Sequence, residues 1–121
     1  MSFDFIRNLR IFPKLSRHDT FSGTNRRIMQ RALVIIPTYN ELENIQSILP
    51  EVLGQDARIE VLVVDDNSPD GTADVVKKLM QDEPRIHLLE RERKMGLGTA
   101  YVAGFKYAIA QDYNCVFEMD A

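Results

Sequence analysis

The chain is poor in the features that mark several large protein classes. It has a single cysteine, Cys115, so it cannot form an internal disulfide, which is consistent with a reducing compartment. Cys115 falls in an apolar stretch and reads as a small buried hydrophobe rather than a nucleophile. No apolar run approaches the roughly 20 residues needed to cross a bilayer. The N-terminus lacks the continuous apolar segment and small-residue cleavage site of a secretory signal. No internal repeat or low-complexity tract is present. The chain also has little positive charge outside its first quarter. Residues 1–31 hold seven Arg/Lys and two acids, or +5; the whole chain is −3, so the remainder carries −8. An acidic body of this kind argues against a nucleic-acid-binding domain.

What is present is a regular alternation. From Ala32 on, short apolar runs (Leu33–Ile36, Ile59–Val64, Ile86–Leu89, Cys115–Met119) are separated by amphipathic stretches. The first carries Leu42, Ile45, Ile48, Leu49, Val52 and Leu53, a one-sided stripe. Asn40 and Glu43 form a capping-box-like pair ahead of it. Pro37 should end the first strand's ladder, and Pro50 should kink or split the first helix. Ala73, Val75, Val76, Leu79 and Met80 make a second helix, stopped before Pro84. Gly96-Leu97-Gly98 opens a third, with Ala100, Tyr101, Phe105, Ala108 and Ile109. The order β-α-β-α-β-α-β predicts an α/β fold with a mainly parallel sheet, strands ordered 3-2-1-4 within residues 32–121.

Residues 1–31 read as a separate basic arm. Phe3, Ile6, Leu9 and Phe12 fall at helical spacing, which fits either a short amphipathic helix on a membrane surface or an arm with no fixed packing. Ser16 to Asn25 reads as linker. The arm is expected to pack little onto the core.

Three strands release polar groups at their C-terminal ends, which share one edge in a parallel sheet. The first runs into Pro37-Thr38-Tyr39-Asn40-Glu41. That segment is either an ordinary strand-to-helix turn or a loop holding a planar base beside an aromatic ring. The second runs into Asp65-Asp66. Adjacent carboxylates repel, so backbone N–H groups, a ligand donor or a metal must compensate them. Asn67, Ser68 and Asp70 read as turn and cap builders. The fourth delivers Asp120, a candidate ligand for a divalent cation completed by nucleotide phosphates. Lys94-Met95-Gly96-Leu97-Gly98-Thr99 places a cation and glycines at a helix start, where N–H groups favour phosphate or sugar oxygens. It is no dinucleotide fingerprint, because Tyr101 stands where a third glycine is required, and no Gly-Lys-Ser/Thr makes it a P-loop.

Together, Val34 to Glu41, Val64 to Thr72, Lys94 to Tyr101 and Glu118 to Ala121 resemble glycosyltransferase family 2, in its dolichyl- or polyprenyl-phosphate mannosyltransferase branch. The resemblance covers residues 32–121 with compatible order and spacing. It implies a Rossmann-like GT-A fold and inverting transfer of mannose from GDP-mannose to a polyprenyl (dolichyl) phosphate at the cytoplasmic face of a membrane, with peripheral membrane contact. By motif position it implies that Pro37, Tyr39, Glu41, Val64, Asp66, Asp120 and Ala121 bind the nucleotide-sugar. Lys94, Gly96 and Gly98 would lie near phosphate or sugar. Asp120 would be the catalytic and metal-binding acid, for Mg²⁺ or Mn²⁺. The family's second acid should follow Ala121, so the chain is expected to be an incomplete, by itself inactive, donor-binding portion that can associate with itself. Two rival readings are a family 2 enzyme using a UDP-sugar, such as a glucosyltransferase acting on the same lipid, and a phospho-signalling receiver domain. In a receiver the acid pair should follow the first strand; here it follows the second.

Overall fold

The computed structural model describes residues 31–121 and, as backbone alone, residues 10–13. The elements are β1 (Arg10–Pro13), β2 (Ala32–Thr38), α1 (Leu42–Leu53), β3 (Ile59–Asp65), α2 (Thr72–Asp82), β4 (Ile86–Glu90), α3 (Leu97–Ala110) and β5 (Cys115–Glu118). They build one five-stranded sheet in the order β1-β5-β2-β3-β4. The β5-β2-β3-β4 pairs are all parallel, in the arrangement expected from the sequence.

Each central strand is apolar along its whole length because both of its faces are covered. On one face Val34, Ile36, Val61, Val63 and Phe117 meet Ile45, Leu49 and Val52 of α1 and Val76 of α2. On the other, Leu33, Ile35, Leu62, Val64 and Val116 meet Ala100 and Ala108 of α3, with Tyr113. Cys115 is buried as a free thiol, and burial pushes its pKa up. That keeps it protonated and unreactive, as its position in an apolar strand implied.

Helix α3 lies close to the sheet at Gly104. A Cβ built there would sit 2.6 Å from Cγ2 and 2.7 Å from Cδ1 of Ile35. Cγ2 cannot swing clear, because a β-branched side chain in a packed strand has few rotamers. Gly104→Ala should therefore lower stability by about 1–3 kcal/mol, even though alanine favours helix over glycine by up to about 1 kcal/mol. Urea denaturation checks this, and a variant as stable as the parent would refute it.

Four sequence expectations are corrected. Pro37 does not end β2, which continues to Thr38. The Ile35 carbonyl accepts from Met119 on the β5 side and the Thr38 carbonyl from Asp66 on the β3 side. Strand alternation thus points the Pro37 nitrogen toward β5, whose pairing stops at Ile35–Glu118, so no ladder bond is lost. Pro50 does not split α1, which runs on to Leu53. It stands in the last turn, where one missing N–H interrupts little. Asn40 and Glu43 do not cap α1. Asn40 takes a left-handed φ of 55°, and Glu41 occupies the N-cap with no side-chain cap bond of its own. Finally, Arg10–Pro13 of the basic arm forms a strand antiparallel to β5, closing an edge whose N–H and C=O groups would otherwise lack partners. Phe12 thus lies in a strand, not a helix. The rest of the arm, residues 1–9 and 14–30, lies outside the described residues, as does the linker expectation for Ser16 to Asn25.

Candidate active site

The parallel register carries three strand ends to one edge. Thr38 pairs with Asp65, Asp65 with Glu90, and Ile35 with Glu118. A cleft of about 340 Å³ opens there, lined by Pro37, Thr38, Tyr39, Glu41, Asp66, Lys94, Gly96, Leu97, Ala100, Asp120 and Ala121. Eight of the site residues expected from the sequence are therefore neighbours: Pro37, Tyr39, Glu41, Asp66, Lys94, Gly96, Asp120 and Ala121. Val64 is fully buried in β3, packed on the α3 side of the sheet, so its side chain does not line the cleft. Gly98 sits in the first turn of α3 and is not on the wall. Gly96 has a φ of 97°, which favours glycine at the turn that aims α3 at the cleft.

The loop after β2 is held by the loop after β3. The Asn40 N–H donates to Ser68 Oγ at 2.9 Å, the Glu41 N–H to Thr72 Oγ1 at 3.3 Å, and the Leu42 N–H to Asp70 Oδ2 at 3.2 Å. Asp70 thus satisfies an orphan donor at the start of α1, the task Asn40 was expected to perform. It also accepts the Thr72 N–H and hydroxyl, and these bonds hold its carboxyl below the usual carboxylate range, the Thr72 hydroxyl contributing most. Ser68 and Asp70 are turn and cap builders, as read from the sequence, and the turn they stabilise spans both motifs.

The two adjacent carboxylates are compensated differently. Asp65, 1% exposed, accepts the Thr38 hydroxyl at 2.7 Å, the Ser68 hydroxyl at 2.6 Å and the Ser68 N–H at 3.0 Å. It is consumed by the fold. Asp66 meets Arg91, whose Nε donates to Oδ1 at 2.6 Å and whose second guanidinium nitrogen donates to Oδ2 at 2.8 Å. Both side chains of this forked pair are 8% exposed. Arg91 also donates to Thr99 Oγ1 at 2.9 Å, tying the end of β4 to the first turn of α3.

Sequence reading did not single out Arg91, one of five consecutive charged residues from Glu90 to Lys94. The signal was in the register. Asp65 pairs with Glu90, so the next residues along each strand, Asp66 and Arg91, are side by side. At the cleft mouth the Lys94 ammonium lies 4.8 Å from the centroid of the Tyr39 ring, a cation–π contact. Asp120 is exposed just past β5 and accepts the Tyr101 hydroxyl at 2.8 Å.

The cleft thus offers an aromatic face, a buried carboxylate (Asp66) already paired with Arg91, an ammonium, a helix start and an exposed carboxylate (Asp120). That set matches an anionic ligand with a planar group. Among the described residues no three His, Cys, Asp or Glu side chains gather into a self-sufficient metal site. Asp120 is a hard oxygen donor on the cleft wall and fits the sparse protein ligation of Mg²⁺ or Mn²⁺, in which substrate phosphates and water complete the shell.

Comparisons with known proteins agree with this geometry. Residues 33–121 match the family model "Glycosyl transferase family 2". The chain is 47% identical over 93 residues to a polyprenol monophosphomannose synthase of Mycolicibacterium smegmatis, an alignment covering 76% of this chain and 35% of that protein. It is 45% identical over 91 residues to an undecaprenyl-phosphate mannosyltransferase of Micrococcus luteus, covering 75% and 37%. The chain thus spans about a third of the curated relatives it matches. Among solved structures, the mannosyltransferase PcManGT of Pyrobaculum calidifontis, in complex with GDP-Man and Mn²⁺, superposes with a TM-score of 0.60 at 34% identity, covering 64% of this chain and 24% of that one. TarS 1–349 of S. aureus superposes with a TM-score of 0.56 at 31% identity, covering 63% and 23%.

Proposed function

Because the chain belongs to glycosyl transferase family 2, we propose that residues 32–121 are the donor-binding portion of an inverting enzyme that transfers mannose from GDP-mannose to a polyprenyl phosphate. The observation that carries the reading is the gathering of Pro37, Tyr39, Glu41, Asp66, Lys94, Gly96, Asp120 and Ala121 around one cleft at the strand ends. The names of the two curated relatives support the sugar and the lipid class. No helix among the described residues is long and apolar enough to cross a membrane. The proposed work on a lipid phosphate therefore puts this portion beside a membrane, on its cytoplasmic face in the family's manner.

The residues divide the task. Tyr39 and Pro37 offer a face for the base. Asp66 offers a hydrogen-bond acceptor on the cleft wall, already charge-compensated by Arg91, to the N–H donors on the edge of guanine. Lys94 and the start of α3 face the diphosphate as fixed positive charge. Asp120 would hold a divalent cation, which would supply Lewis-acid neutralisation of charge on the departing nucleoside diphosphate. The acceptor phosphate oxygen is already anionic at neutral pH, so this chain's residues contribute mainly position and electrostatics rather than a general base.

Calorimetric titration of the chain with GDP and with UDP tests the reading. GDP should bind more tightly, and Asp66→Asn should weaken it about tenfold or more, the effect of losing a buried hydrogen bond worth about 1–3 kcal/mol. Tighter binding of UDP would move the assignment to a UDP-sugar enzyme, and GDP affinity untouched in Asp66→Asn would remove the base from this end of the cleft.

A further inference from the structure

We propose that Tyr101 is a positioning residue that holds the Asp120 carboxylate in its cation-binding orientation; this rests on the reading of Asp120 given above. A carboxylate can only accept, so the Tyr101 hydroxyl donates to Asp120 Oδ1 across their 2.8 Å. No other hydrogen bond reaches this carboxylate from the described residues.

The need for such a tether follows from where Asp120 stands. The Met119 N–H still bonds the Ile35 carbonyl. Asp120 is the next residue, beyond the ladder and exposed, and nothing in the strand fixes its side-chain torsions. Tyr101 can fix them because its own position is set by the core. Its ring packs on the α3-side cluster, and α3 is seated by buried Ala100, Gly104 and Ala108, with Gly104 against Ile35. The hydroxyl thus projects from a packed helix onto a side chain just past the strand end. It occupies Oδ1 and leaves Oδ2 for a cation, which suits a site where the protein gives one carboxylate oxygen and phosphates give the rest.

The spacing has a counterpart in the sequence. Tyr101 follows Leu97, on the cleft wall, by four residues, so one helical turn brings it to the same side. It stands where a dinucleotide-binding turn would require glycine. Here a large side chain is used to reach across to β5. A tyrosine that merely blocked Asp120 in the absence of ligand would have the opposite effect, since its removal would then tighten cation binding.

The test is a Mn²⁺ titration of the GDP-saturated chain, followed by the electron paramagnetic resonance signal of free Mn²⁺, on the parent, Tyr101→Phe and Asp120→Asn. GDP affinity in EDTA and the thermal midpoint are measured alongside. Phenylalanine keeps the packed ring and removes only the hydroxyl. Tyr101→Phe should weaken Mn²⁺ about 10-fold or more, the usual consequence of removing a group that orients a metal ligand, with metal-free GDP affinity and thermal midpoint unchanged. Unchanged or tighter Mn²⁺ binding in Tyr101→Phe, with Asp120→Asn impaired, overturns the proposal and leaves Asp120 as a ligand. Parallel losses of Mn²⁺ and metal-free GDP affinity in Tyr101→Phe assign Tyr101 a general structural role and also overturn it. If Asp120→Asn binds Mn²⁺ like the parent, the reading of Asp120 fails and the tether with it.

Discussion

Replacing Arg91 by methionine should destabilise the chain by about 3–5 kcal/mol, the loss seen when one partner of a buried ion pair is removed. The two side chains are 8% exposed and joined by two short hydrogen bonds, at 2.6 and 2.8 Å. Without the guanidinium, Asp66 stays buried next to Asp65, whose own partners are already engaged. Thr99 loses a donor, and the link between β4 and α3 goes with it. The single variant Asp66→Asn should also lose stability, because it strands the cation. The double variant should lose much less than the sum, since each single change removes the same interaction. Urea midpoints of all four proteins give the coupling. A loss below about 1 kcal/mol in Arg91→Met would mean that the pair is screened like a surface bridge.

That pair also refines how the cleft works. Asp66, taken by itself, reads as a lone acid awaiting a ligand. In the structure it is already neutralised by Arg91, so a ligand at this wall need not supply the compensating charge. A neutral ligand group can meet Asp66 without leaving a buried ion unpaired.

Legibility in the sequence followed the range of the interactions. Leu33–Ile36 and Ile59–Val64 were readable as strands because each is covered on both faces, which erases any polar alternation. The cleft was readable because polar groups follow three such runs in turn, and parallel pairing must bring those ends together. Long-range partners were not readable. Asp70 reaches the N–H of Leu42 across 28 positions, and Arg91 reaches Asp66 across 25. Neither pairing has a local signal. Each follows only from the sheet register. Pro37 misled for the same reason, since the side its nitrogen faces matters only once β5 is known to stop at Glu118. The strand at Arg10–Pro13 carries no alternation distinct from its basic surroundings, and only the open edge of β5 gives it a place.

The opposite end of the sheet holds a second, partly buried polar cluster that the sequence did not announce, and it should contribute to the pH dependence of stability. Glu60 of β3 accepts His87 Nε2 at 2.8 Å and the Tyr113 hydroxyl at 2.9 Å on one oxygen, and Arg31 Nε at 3.3 Å on the other. The Arg31 guanidinium also lies 4.2 Å from the centroid of the Tyr113 ring. Glu60→Ala should cost about 1–3 kcal/mol, because it removes the acceptor shared by the Tyr113 hydroxyl and His87 Nε2 and leaves them only their 3.3 Å contact with each other. Burial alone would push the Glu60 carboxyl up. The hydrogen bonds from His87 and Tyr113, with the charge and hydrogen bond of Arg31, outweigh it and hold the group below its usual range. A carboxyl lowered on folding contributes stability in full above its unfolded value, about 4.3, and loses it as pH falls through the folded value. Tyr113 is shifted the other way, by burial first and then by its bond to Glu60 and the Glu60 charge. Its contribution is therefore complete below the ordinary phenol value of about 10 and declines as pH rises through the folded one. Stability should form a plateau between these limbs. In Glu60→Gln the acid limb should be shallower but not absent, since hydrogen bonds from Arg58 hold down Asp56 and those from Arg85 hold down Glu83. Urea midpoints measured from neutral pH into acid decide it: parent and Glu60→Gln curves running parallel through the carboxylate range would show that this cluster does not set the acid limb.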